Sequence, residues 1–527
     1  MLSSLFHCLR YQQVDESVFH TSEDDGSASD ATGNQSACMK LTEVSVAFMK
    51  YAQCIIVPQG MAILNSYLSL VFCTRRAGSL RRLMRSLFPA FFFSVLLAGC
   101  SSGSNSGGGH LPPAYAFPAA STLQFVTQFG TQTYDAATMQ GDTVTAVAQD
   151  SEGNIFVAGY TAGNLSGYSG TVGILKAVLY KLDSKGNHIW SRELTTGAGD
   201  TLAGVVVEGN SIVVVGDTKG AYSGWSNPSA VSEVFVAWFD ESGNQTNLVQ
   251  YTSSQSIELE TVAADSSEDI LLAGEVYDIS GGQDLLVEKL NSAGAPQWQK
   301  TYGSGAVDVI MGVTTDSSGN VYAVGTTDGV FPGGPSNAQG MPFVLKLDGG
   351  SGSSIWMEQF SSDSALSAMY PSAVFATGTS LYVEGSVGSY GTNAQVVLAQ
   401  IDSGTGLVNW KFLFGAGAEN LPGQSIVMDS SGEIYCAGMT FGALASGVTN
   451  GIQDVFLARV SPSGTPIWAQ QIGTGTDGPA LANTGSTPIF LSAGSENVVL
   501  AGMTSGQFPG FTNTNNAVEL FVASFNP

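Results

Sequence analysis

Basic residues are scarce in this chain. Over 527 residues, 18 Lys and Arg stand against 43 Asp and Glu, a formal net charge of −25. Beyond Cys100 the imbalance sharpens to 10 basic against 36 acidic residues. Nucleic acid, whose binding needs a basic face, is disfavoured as a partner on that ground. Cations, basic proteins and neutral glycans are the easier partners. Histidine is equally thin. The chain has four, and from residue 121 onward only His188, which reads as a solvent-exposed turn residue before Trp190 rather than a catalytic base. Of the six cysteines, Cys8, Cys38, Cys54 and Cys73 lie near the start, Cys100 ends an apolar segment, and Cys436 sits in the apolar "EIYCAG" as a core residue. No disulfide is therefore available within the chain beyond Cys100, and no zinc-type Cys/His spacing exists. A Gly-x-Ser-x-Gly elbow and a phosphate loop are also missing. "GAGDTLAG" is glycine-rich but opens a strand, not a helix. No cofactor is implied.

What is abundant is repetition. A glycine closing an apolar run recurs at Gly159, Gly216, Gly274, Gly325, Gly385, Gly438 and Gly502, at intervals of 57, 58, 51, 60, 53 and 64 residues. A second marker keeps step, at Trp190, Trp298, Trp356, Trp410 and Trp468, with Leu248 in the tryptophan place of the second repeat. Each repeat holds four apolar runs of about five to seven residues, rich in Val, Ile, Tyr and Phe and too short for helices. "DSSGN" and "DSKGN" are hairpin-turn chemistry, with Asp and Asn bonding the turn backbone and Gly accepting positive φ. The unit is thus a four-stranded antiparallel meander that must stack on neighbours to bury both faces. The 65 glycines and 12% charged residues suit such a body. The expected fold is all-β, a seven-bladed propeller. The last repeat stops at Pro527 without its tryptophan-type run, whereas "LQFVTQFG" (Leu123 to Gly130) precedes the first repeat with Phe125 in the Trp position. That N-terminal strand is expected to complete the last blade and remove an exposed sheet edge.

The pattern "D-x-x-G-N-x-Y-V-x-G-x-T", followed by "F-V-x-K-L-D-x-x-G-x-x-x-W", resembles the bacterial seven-bladed β-propeller repeat, the SBBP repeat. The resemblance covers Ser121 to Pro527. It implies the fold and little about activity. Repeats two, five and seven lack the full Asp-x-x-Gly-Asn turn.

The region before it differs. Residues 84–99, "MRSLFPAFFFSVLLAG", have a basic start and an apolar stretch, as a cleaved secretory signal does. "LAGC" resembles the bacterial lipobox, which implies lipidation of Cys100. Ser101 after it implies an outer-membrane lipoprotein of the cell envelope, facing the periplasm or the outside. Cleavage without lipidation is the plainer alternative. Residues 100–120 read as a Ser/Gly/Pro tether, and 1–83 as an upstream gene-start artefact or a disordered segment.

Acids recur where each blade begins. Asp142, Asp200 and Asp308 each stand eight residues before the acidic end of a first strand, with Glu258 one place off and Glu419 looser. Either they bond backbone N–H groups in the inter-blade loops, or they line the central funnel as ligand-binding residues for a cation or sugar. The loops joining second and third strands carry Tyr168, Trp225 and Phe331, suited to partner contact or to capping the blades. The preferred function is a monomeric, lipid-anchored, non-catalytic scaffold that binds a protein or glycan at the propeller face. The alternatives are a carbohydrate-active enzyme using funnel carboxylates and an envelope-assembly scaffold.

Overall fold

The computed structural model describes residues 117–527, except 119, 121, 132–140, 229, 254, 278–281, 335–339, 361–365, 367–368, 389–393, 416–419, 442–443, 445–453, 474–488, 505 and 513–517; the side chains of 420–424 are also outside the description. The signal segment, Cys100, the tether up to residue 116 and Glu419 therefore lie outside the described residues.

Seven four-stranded antiparallel sheets follow one another along the chain. Blade I comprises Thr143–Gln149, Ile155–Thr161, Lys176–Leu182 and His188–Leu194, from innermost to outermost strand. Blades II to VI span 200–251, 256–302, 308–359, 370–414 and 420–472 in the same order. Blade VII takes three strands from the C-terminus (Phe490–Ala493, Val498–Thr504, Glu519–Phe525) and its outer strand, Leu123–Phe129, from the segment that precedes blade I. The join is antiparallel, with Val126 opposite Ala523 and Phe129 opposite Leu520. Innermost strands pack side by side around the ring, and that of blade VII meets that of blade I. The expected seven-bladed closure is what the chain forms.

Two sequence signals acquire causes here. In the Asp-x-x-Gly-Asn turns, Asp316 Oδ1 accepts the N–H groups of Ser318 and Asn320, its other oxygen takes the Asn320 amide, and Gly319 turns at φ +79°. The marker glycine answers a β-bulge in the innermost strand. Gly325 pairs with Ile310, the residue before the bulge. A Cβ there would lie 1.9 Å from the Val309 carbonyl oxygen, and the same approach recurs at Gly159 and Gly274.

Seam packing is done by the outer-strand indoles. Trp190 Nε1 donates to Glu241 O of the next blade, Trp298 to Gly349 O, and Trp356 to Ser403 O. Blade II departs from the expectation that Leu248 replaces the tryptophan. By register the place belongs to Asn247, which faces Trp238 as Trp190 faces Lys181. Trp238, one strand inward, supplies the indole and donates to Ser292 O at 3.0 Å. Each apolar cluster correspondingly joins two adjacent blades; Phe235 and Trp190 share one between blades I and II. Burying one such ring is worth about 1.5–3 kcal/mol. Cys436 is fully buried, as its apolar setting implied, and burial pushes its thiol well up.

Candidate binding face

The upper face of the ring carries the loops that enter each innermost strand and those joining second to third strands. The first three sequence-predicted acids lie there, all fully buried. Asp200 accepts hydrogen bonds from Thr196 N at 2.7 Å, Thr196 Oγ1 at 2.9 Å, Thr195 Oγ1 at 3.1 Å and Thr218 Oγ1. Asp308 accepts from Ser304 N and Oγ at 2.7 and 2.8 Å. Asp142 accepts from Thr131 N and Oγ1 and from Thr161 Oγ1. Burial raises the Asp142 pKa, the three donors hold it down, and the charge of Glu519 raises it further. The partner threonines, Thr161 and Thr218, stand two residues beyond the marker glycines, as Thr327 does in blade IV. A repeated knot results: one carboxylate ties the inter-blade loop to the end of the second strand. These three acids are not brought together, since each serves its own blade.

The second-to-third loops are held by a different device. Gln250, on the outer strand of blade II, accepts from Tyr222 N and donates to Gly220 O and Glu233 Oε2. Gln359 does the same in blade IV with Phe331 N and Gly329 O, and Gln128 in blade VII with Phe508 N and Gly506 O. Blade I uses a buried lysine instead. Lys176 Nζ donates to the carbonyls of Gly163, Thr171 and Ile174 at 2.6, 3.1 and 3.4 Å. Phe331 is thus a buried cap, whereas Tyr168 and Trp225 are exposed.

Glu258 is different in kind. It is exposed, accepts the Tyr277 hydroxyl at 2.7 Å, and belongs to a group of four carboxylates from blades II and III. Asp217 accepts Leu259 N at 3.2 Å across the seam from blade II to III. Glu275 accepts Ile310 N at 2.8 Å across the next seam. Glu260, the bulge residue of its innermost strand, touches water yet is ringed by protein. Asp217 Oδ1 is buried with no hydrogen-bond partner among the described residues. Burial, then the charge of Glu258, pushes Glu260 up to about 7. Burial first, with the neighbouring carboxylates adding to it, drives Asp217 and Glu275 well above the ordinary range, against which Lys219 gives Asp217 a small counterweight. Asp217, Glu260 and Glu275 therefore hold their protons more firmly than free carboxyls do. Sequence inspection found Glu258 alone, because Asp217 and Glu275 sit one residue past marker glycines, where nothing distinguishes them from strand polar residues. Among the described residues no group of acids and histidines is arranged to hold a metal ion.

A family model for the β-propeller repeat matches residues 124–166 and 297–332. Each match begins on an outer strand and continues through the first two strands of the next blade. Two segments of the chain thus match the β-propeller repeat, and the described residues form seven blades. No curated protein matches it. Among solved structures, it is similar to the propeller domain of the Trilobed protease from Pyrococcus furiosus, at 10% identity and a TM-score of 0.40, over 73% of this chain and 95% of that one. It is similar to the Pan2 WD40 domain of Neurospora crassa, at 11% identity and a TM-score of 0.43, over 77% and 98%. A protein of unknown function from Dyadobacter fermentans is likewise similar, at 9% identity and a TM-score of 0.40, over 76% and 99%.

Proposed function

We propose that this chain is a non-catalytic binding scaffold of the cell envelope, anchored by lipid at Cys100, that captures a partner bearing basic groups on the upper face of its propeller. The observation that carries this reading is the carboxylate group of Asp217, Glu258, Glu260 and Glu275. Two of its members are open to water, and one buried oxygen has no partner among the described residues. A lysine or arginine side chain seated there would relieve mutual repulsion and take up the free acceptor. The chain's net charge of −25 would draw such a partner from a distance. The absence of catalytic motifs and the occupation of Asp142, Asp200 and Asp308 by loop donors favour binding over hydrolysis. The "LAGC" signal supports an envelope location.

The test is capture from native envelope with the intact protein beside a Glu258→Gln, Glu260→Gln double variant. Enrichment of a basic partner by the parent and its loss from the variant is the expected outcome. Equal capture by both would remove the carboxylate group from the binding face.

A further inference from the structure

The ring closes between blades VII and I, and a cavity of about 490 Å³ opens at that seam. Its size is that of a small-molecule site. The closing strand reaches it with Phe129, and the residues after that strand with Gly130 and Thr131. At the next seam, the outer strand of blade I fills the gap with Trp190 and Arg192, whose side chains bond Glu241 O, Gly243 O and Ser242 O. The closing strand offers Phe125, which packs over Gly186, in place of the tryptophan. By strand alternation it places only the short Thr127 where the arginine would be. On the blade I side, Ser191 is small.

Phe129, Tyr180 and His188 form an aromatic wall. The Phe129 and Tyr180 rings lie 4.8 Å apart, and the Tyr180 and His188 rings 6.5 Å apart edge to face. Tyr180 is 4% exposed, and its buried hydroxyl has no hydrogen-bond partner among the described residues. Asn164 Oδ1, also in the lining, is buried and unpartnered in the same sense. Two buried polar atoms at one cavity with no partner among the described residues are costly unless water or a ligand meets them. Burial first, then the charges of Asp142 and Glu193, raise the Tyr180 pKa well above the ordinary value, so both carboxyls act on this side of the cavity.

We infer that this seam cavity is a binding site for a neutral, hydroxyl-bearing ring, a single sugar residue of a glycan. After a side-chain shift that opens these two buried atoms to the cavity, one hydroxyl of the sugar accepts from Tyr180 Oη, another donates to Asn164 Oδ1, and the C–H face of the ring lies on the aromatic wall. An anionic sugar is disfavoured by the nearby charges of Asp142 and Glu193. The site is separate from the carboxylate group of blades II and III and stands independently of it.

The experiment is saturation-transfer NMR and affinity measurement on the full chain in mild detergent, with the methyl glycosides of glucose, galactose, mannose and N-acetylglucosamine, and with glucuronic acid. At least one neutral glycoside should bind saturably, and glucuronic acid more weakly. Tyr180→Phe keeps the ring and removes only the hydroxyl. It should weaken binding about tenfold, equivalent to ~1.4 kcal/mol. Ser191→Gln should block the cavity while the melting temperature reports that the ring is intact. No saturable binding of any neutral glycoside would overturn the assignment. So would affinity unchanged in both variants, or a preference for glucuronic acid.

Discussion

Replacing Asp200 by Asn separates a carboxylate that holds a loop from one that holds a ligand. Asp200 is fully buried and accepts from one backbone N–H and three threonine hydroxyls. Hydrogen bonds to a charged acceptor contribute ~1.5–3 kcal/mol each, against ~0.5–1.5 for neutral ones. The amide removes the charge and turns one acceptor into a donor facing the 196 N–H or a hydroxyl. Hydroxyls can rotate to compensate, but the backbone group cannot. A net loss of ~3 kcal/mol follows. Unfolding entropy near ~2.1 cal/mol/K per residue over a ring of this length converts that to a melting-temperature drop of about 3–4 °C. Scanning calorimetry with urea melts at fixed pH reads it. Asp142→Asn and Asp308→Asn should act in the same direction, while Glu258→Gln, which relieves repulsion with Glu260, should not lower the melting temperature. An Asp200→Asn protein that melts like the parent and loses a ligand would refute the loop-holding role.

Other consequences follow from the same contacts. Gly325→Ala forces a Cβ to within 1.9 Å of the Val309 carbonyl oxygen. It should cost ~3 kcal/mol or more in denaturant melts, whereas Gly378→Ala, at an exposed glycine with free space around it, should be nearly neutral. Trp238→Phe removes the bond to Ser292 O and should cost ~1–2 kcal/mol. Asn247→Ala, at the exposed register equivalent of the other tryptophans, should cost less than ~0.5 kcal/mol, and equal losses would contradict the register assignment. Glu260 titrates at about 7 in the fold against an ordinary value of 4.5. Its protonated form is thus the one the fold favours, so its contribution to stability is complete below pH 4.5 and disappears as pH rises through 7. A shift of that size has a ceiling of ~3.4 kcal/mol, which contact with water reduces to ~1 kcal/mol. The melting temperature should fall between pH 5 and 8, and Glu260→Gln should flatten part of that slope.

Much of the architecture is legible in the residues because its causes are local. The turn of Asp316 to Asn320 encloses its own hydrogen bonds, and the marker glycines announce a close approach to the adjacent strand. The closing strand is legible because "LQFVTQFG" has the pattern of an outer strand without a blade of its own. Legibility fails where partners are distant. The acids at 142 and 200 look alike as ligands or loop ties until Thr161 and Thr218, 19 and 18 residues away, are brought onto them. Trp238 takes the role expected of position 248 because the tryptophan place of blade II holds Asn247 and the indole comes from the strand inward, a register that apolar pattern alone does not carry. The carboxylate group is assembled across two blades, with Asp217 meeting Leu259 over 42 residues of chain.

The most direct measurement is calorimetric titration of the full protein with an oligoarginine peptide at pH 7, in two buffers of different ionisation enthalpy. If the group of Asp217, Glu258, Glu260 and Glu275 receives cationic side chains, the peptide binds and protons are released on binding. The Glu258→Gln, Glu260→Gln double variant then binds at least tenfold more weakly and releases fewer. Binding without proton release, or with equal strength and release in the double variant, would contradict a basic partner on this face.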